Sequence, residues 1–189
     1  MSNFLTKSSW GNIERGFEFE AAMLYPSDTQ RPLSFFIPDE PGSNKGEIQT
    51  DIGDFSPVRV GGRRPQAREQ MVVMTIKPRR VVVLSNDEIN QSTEFEYILV
   101  APINTIKDEE KTRDWYNKLI NDEHPIFTYL PNGNLDRYAD LSQTVSIHKS
   151  LLLRKLRPLE DPRMEVLDEN LIQCLSLGII EDEESLTDN

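Results

Sequence analysis

The sequence predicts a mainly β fold, a small barrel or sandwich with one inserted helix and an amphipathic helix at its C-terminal end. Two observations predict it. Short β-branched, apolar runs recur with turn signals between them, and apolar residues late in the chain return at helical spacing. Met71 to Ile76 and Val81 to Leu84 are two such runs, separated by Lys77-Pro78-Arg79-Arg80. Tyr97 to Ala101 is a third, stopped by Pro102, and Ile126 to Leu130 is a fourth, ending in the turn Pro131-Asn132-Gly133-Asn134. Val145 and Ile147 alternate with Ser146 and His148, the period of a half-buried strand. Between the third and fourth runs, Asp108 to Ile120 reads as the inserted helix, with Trp115, Leu119 and Ile120 on one face. In the last helix Asp161 caps, Pro162 takes the first position, and Met164, Leu167, Leu171, Cys174, Leu175 and Ile179 recur at spacings of three and four.

The first 44 residues are heterogeneous. Phe17 to Tyr25 suits a strand or a short helix, Arg31 to Pro38 an extended segment bounded by prolines, and Asp39 to Asn44 is loop chemistry. The expected organisation is an N-terminal extension (1–44), a barrel domain (45–180) and an acidic tail (181–189).

Composition narrows the function classes. No apolar run approaches the roughly 18 residues that cross a bilayer, so the expectation is a cytoplasmic protein without a membrane partner. The single cysteine, Cys174, forms no intrachain disulfide and reads as a small core residue. His124 and His148 are the only histidines, far apart and without patterned acids, so neither a metal site nor a cofactor is expected. A net charge of −11 argues against a general polyanion binder. The distribution is uneven, however: Arg59 to Arg80 holds seven basic residues and one acid, Glu69, whereas 181–184 are all acidic. Positive potential can therefore focus on one groove of an acidic protein.

Four segments, in order, carry a resemblance. Lys45-Gly46-Glu47-Ile48 followed by Phe55-Ser56-Pro57 is similar to the opening strand of the MazF/PemK family of type II toxins. Arg79-Arg80-Val81-Val82-Val83-Leu84-Ser85-Asn86-Asp87 resembles that family's R-P-x-V-V-L-S-N-D strand, Tyr97 to Asn104 its V-A-P-I-T strand, and Asp140 to Leu151 its D-L-x-Q-I-R-T-I-x-K-x-R-L strand. The resemblance implies an SH3-like barrel of the CcdB/MazF/PemK type and a homodimer. It also implies a sequence-selective, metal-independent endoribonuclease acting on single-stranded RNA and restrained by a cognate antitoxin peptide. Arg79 matches the family's catalytic arginine, and Asn104 stands where the family has a threonine, with Thr105 one place on. Arg59, Arg63, Arg64 and Arg68, with Gly61-Gly62, match an RNA-contacting loop, and Arg80 adjoins the site in the place of the family's proline. Val145 replaces an arginine of the late strand, and the loop before Arg79 is longer than usual. These departures keep a second reading open, a barrel without catalysis that binds RNA or protein as a regulatory module.

An arginine suits a scissile phosphate because its planar fork stays charged and donates two parallel hydrogen bonds. Asn104 can donate a hydrogen bond but cannot relay a proton, whereas Thr105 carries a hydroxyl. Glu69 is the one acid in the basic loop that could act as a base.

Overall fold

A computed structural model describes residues 4–24, 30–59, 61–62, 64–66 and 68–177. Nine strands form: β1 (Phe17–Leu24), β2 (Leu33–Pro38), β3 (Gly46–Asp51), β4 (Ile76–Val83), β5 (Tyr97–Thr105), β6 (Phe127–Tyr129), β7 (Arg137–Asp140), β8 (Val145–His148) and β9 (Leu152–Pro158). Three α-helices accompany them: α1 (Asp87–Gln91), α2 (Asp114–Ile120) and α3 (Asp161–Cys174). Contacts divide the chain into two units, residues 1–21 with 78–189, and residues 22–77. The boundary expected at 44/45 falls inside the second unit.

In the first unit the strands run antiparallel in the order β6-β7-β5-β4-β1-β9, with β8 paired to β5. Mainly β is therefore the observed class. The ladder is open: β6 and β9 are its edges, and both are cut short by a proline, Pro131 and Pro158, which has no N–H to continue a ladder. A side chain spans the gap. Arg157 of β9 donates to the Asn132 Oδ1 (3.0 Å) and Pro131 carbonyl (3.2 Å) just beyond β6.

One face of this sheet is covered by α3. Val82, Leu84, Ala101, Ile103, Leu130, Ala139 and Leu141 bury together with Leu167, and Met164, Leu171 and Cys174 pack against them. This is the predicted helix face, shorter by one turn. Glu160 rather than Asp161 is the N-cap, and Leu175 is the C-cap, 52% exposed. Ser176 follows in the left-handed region (φ 52), which ends the helix, and Ile179 lies outside the described residues.

Residues ahead of β1 and on it are buried as well. Trp10, Ile13 and Phe19 are buried, and the Trp10 indole donates to the Phe4 carbonyl at 3.0 Å. Phe17 to Leu24 resolves as a strand, its partner β9 lying at the other end of the sequence. On β1, Glu18 is fully buried, and three guanidiniums surround it. Arg80 of β4 donates to Oε2 at 2.9 Å, Arg157 of β9 donates to Oε1 at 2.9 Å, and Arg137 of β7 lies 3.9 Å from Oε2. A second buried charge, Lys149, donates to the Ile89 and Ser92 carbonyls (2.7 Å each) at the end of α1, with the Trp10 ring beneath it.

In the second unit β2 and β3 make a six-pair hairpin. Gly46 closes it opposite Pro38, where a Cβ would stand only 2.1 Å from the Ile37 carbonyl oxygen. The apolar run Met71 to Ile76 is not one strand, as its composition suggested. It meets β2 through a Phe35–Val72 bridge, and β4 starts only at Ile76. A ladder needs a partner backbone along its length as well as suitable side chains, and here the contact spans three residues: Phe36 N–H to Met71 (2.9 Å) and Val73 N–H to Ser34 (2.8 Å).

The Glu18 cluster yields a stability test. Glu18→Ala leaves Arg137 buried with no counter-charge, and removing one partner of a buried pair typically costs about 3–5 kcal/mol. Arg80→Ala should cost less, because Arg157 keeps its bond. Urea unfolding followed by circular dichroism would rank the two; equal losses, or a neutral Glu18→Ala, contradict this account.

Candidate functional site

Side chains alternate across a sheet, so parity assigns each strand residue to a face. On β4, Val82 and Leu84 point into the α3 core, so Arg80 shares that side and Arg79 takes the other with Val81 and Val83. On β5, Ala101 and Ile103 face α3, so Thr105 does too, while Asn104 lies with Pro102 and Val100 on the opposite side. The pairs Val81–Pro102, Val82–Ala101 and Val83–Val100 fix the register, and in that register Arg79 stands level with Asn104. The β4–β5 register therefore puts Arg79 and Asn104 on one face and leaves Thr105 on the other. Thr105 is exposed and pairs with Arg137, whereas Asn104 is half-buried and pairs with Tyr138.

Arg80, expected beside the site, turns to the α3 side and pairs with Glu18. Its guanidinium is part of a structural cluster in which three arginines share one carboxylate, and Arg137 Nη1 finds no hydrogen-bond acceptor there. Burial and the nearby Arg80 guanidinium pull Arg137 below its ordinary value, with Glu18 opposing them.

The Asn104 face carries aromatic residues that the sequence alone does not bring together. Asn104, Tyr138 and Tyr129 form one cross-strand row over β5, β7 and β6. Asn104 lies directly across the ladder from Tyr138, whose ionisation is pushed up mainly by burial. Trp115 of α2 packs edge-on to Phe127 (5.9 Å between ring centres) and tilted against Tyr138 (5.7 Å). Asp136 anchors this end. It accepts from Tyr129 (2.6 Å) and Tyr116 (3.3 Å) and pairs with Lys111 (2.9 Å), so its carboxyl titrates below the usual range, while burial and Asp136 push Tyr129 to about 12. Trp115 was visible in the sequence as one of three apolar residues on a helix face. Its neighbours across β6 and β7 were not.

The basic loop belongs to the second unit. Val58 and Gln66 exchange two 2.9 Å hydrogen bonds across its base, and Gly61 and Gly62 both take left-handed φ (61 and 71), which favours glycine. Arg59 and Arg64 are exposed on it, and Arg63 lies outside the described residues. Arg68 is exposed and pairs with Asp54 (2.6 Å), whose carboxyl is held low first by the Ser56 backbone N–H. Glu69 is exposed, as is Val145 on β8.

The two histidines cap turns. His148 Nδ1 meets the Ser150 hydroxyl (2.7 Å) and accepts from its backbone N–H (3.1 Å). His124 Nδ1 accepts from Phe127 N–H (3.0 Å) while its ring stacks flat on Phe127 (4.2 Å, 2°). Among the described residues, no three His, Cys, Asp or Glu side chains gather as metal ligands, and no helix is long and apolar enough to cross a membrane.

A mainly antiparallel sheet backed by a C-terminal helix thus carries Arg79 inside β4 and Asn104 on β5. The family model of the PemK-like, MazF-like toxins of type II toxin-antitoxin systems matches residues 52–175. The chain belongs to that family. Among solved structures it is similar to an endoribonuclease in complex with its cognate antitoxin from a mycobacterial species. That match has 15% identity and a TM-score of 0.41, over 55% of this chain and 85% of that one. None of the curated proteins matches the chain in sequence.

His124 supplies a pH signature. Burial, and then the nearby Lys118, lower its value below the ordinary 6.5. The unfolded chain therefore takes up the proton first, and the contribution of this residue is fully present above about pH 6.5 and is lost as pH falls from there through its lowered folded value. Thermal unfolding followed from pH 8 to 5 should show a fall that His124→Gln flattens; parallel curves for the two proteins would contradict the assignment.

Proposed function

We propose that this chain is an endoribonuclease toxin that cuts single-stranded RNA, with Arg79 holding the scissile phosphate. The observation that carries the reading is the shared face of Arg79 and Asn104, in a member of a toxin family. In this reading the cut is sequence-selective and metal-independent, a cognate antitoxin peptide restrains it, and the protein works as a cytoplasmic homodimer.

The chemistry follows from the two side chains. The RNA 2′-oxygen attacks the adjacent phosphorus, its proton passes to solvent, and the bond to the 5′-oxygen breaks as that oxygen gains a proton. The phosphorane oxygens carry the developing charge, and the Arg79 fork donates to them. Asn104 adds a neutral donor from the neighbouring strand and carries no proton in either direction. Arg59, Arg63, Arg64 and Arg68 supply further cationic groups for RNA phosphates.

The absence of a threonine hydroxyl on this face supports the second reading, a barrel that binds RNA or a protein without cutting. One set of assays separates them. Under the first reading purified protein cleaves RNA and the products carry 5′-hydroxyls. Arg79→Ala should lower the rate by about 10²–10³. Lysine at 79 should restore only part of it, lacking the fork, and EDTA should leave it unchanged. Asn104→Thr should raise the rate. Intact RNA with wild-type protein, and cleavage only after Asn104→Thr with Val145→Arg, favours the second reading.

The dimer has its own check. Ile48, Ile52 and Met71, 62%, 64% and 52% exposed, are apolar surface that a second copy would cover. Light scattering at micromolar concentration should return twice the mass of one chain; a single-chain mass removes the dimer from the proposal.

A further inference from the structure

We propose that Trp115, Phe127 and Tyr138 form a stacking subsite for an unpaired base of the RNA, next to the phosphate held at Arg79. The inference rests on the RNA reading above and adds a recognition element to it. All three rings lie in the first unit, on the Asn104 side of the sheet. Tyr138 is the direct cross-strand partner of Asn104, and partners of that kind have Cβ atoms about 4.5–5.5 Å apart. Phe127 lies two residues from Tyr129 on β6, so it returns to the same face one step further out. Trp115 reaches over both from α2.

The rings do not consume one another. Trp115 meets Phe127 at 84° and Tyr138 at 60°, and Phe127 meets Tyr138 at 40°. His124 stacks flat on one face of Phe127 (4.2 Å, 2°), so the ring surface left for a base is chiefly that of Trp115 and Tyr138, and all three side chains remain partly exposed. The α3 core lies on the other face; on this face Val81, Val83 and Val100 are buried, while the three rings keep some exposure. Single-stranded nucleic acids are bound by this combination of cationic groups for phosphates and aromatic faces for bases. Base edges are not read by stacking, so the subsite secures one nucleotide beside the cut and tolerates any base.

The chain's own fluorescence tests this. It has two tryptophans, and Trp10 is 2% exposed, so a change on ligand addition reports Trp115. The full chain would be titrated with a single-stranded 2′-O-methyl RNA oligomer, which lacks the attacking hydroxyl, and with an abasic oligomer of equal length. The base-bearing oligomer should quench the emission, and the abasic one should bind without quenching. Trp115→Ala should weaken binding of the base-bearing oligomer by roughly 5- to 140-fold, while Trp115→Phe keeps a ring and most of the affinity. Binding with unchanged emission, or wild-type affinity in Trp115→Ala, overturns the subsite and leaves the RNA reading standing. No binding of either oligomer overturns both.

Discussion

The buried carboxylate of Glu18 is the interaction on which the first unit depends. An ionised side chain with no solvent contact must be matched at once, since desolvating it costs several kcal/mol. The match comes from β4, β7 and β9, so one side chain of β1 relates four of the seven strands. Guanidiniums suit the role because they are weakly hydrated and donate in a fixed plane. The same Arg157 that meets Glu18 also reaches past β9 to the backbone after β6. An open sheet is thereby drawn toward closure by a side chain where prolines forbid a ladder.

That arrangement explains how two adjacent arginines acquire different work. Arg79 and Arg80 differ by one position on a strand, and one position exchanges the face. Arg80 joins the cluster at the α3 side, and Arg79 is left on the face of Asn104, Tyr138 and the α2 aromatics. The family's proline at this place donates nothing; the arginine here ties β4 to β1 through Glu18. What reads in the sequence as a departure from a catalytic motif is, in the fold, an addition to its scaffold.

β4, β5, β6 and β8 were legible because their runs are short, apolar or alternating and punctuated by Pro, Asn and Gly. By contrast, β7 (Arg137–Asp140) and β9 (Leu152–Pro158) are rich in charged residues and carried no such signal. The α3 face was legible because its spacing is helical. Glu18 was not, because its arginines lie 62 and 139 residues away and nothing local marks a carboxylate as buried. Asn104 and Thr105 looked interchangeable until pairing with β7 and β4 assigned them to opposite faces. Met71 to Ile76 has the composition of a strand, yet pairing depends on a neighbour the run itself does not specify. Trp115 was readable only as a helix face; its role beside Phe127 and Tyr138 needed the register of β6 on β7.

The pairing of β1 with β9 also bears on when the protein becomes itself during synthesis. At about 5–20 residues per second, the 139 residues between Glu18 and Arg157 take roughly 7–28 s to make. Through that interval the nascent chain carries an unmatched carboxylate and a strand with an empty edge, both of which favour staying unfolded. The face bearing Arg79 and Asn104 is complete in sequence by residue 104, but the sheet that holds it rigid waits for β9. A polypeptide of this design completes the sheet beneath Arg79 and Asn104 only after Arg157 has been translated.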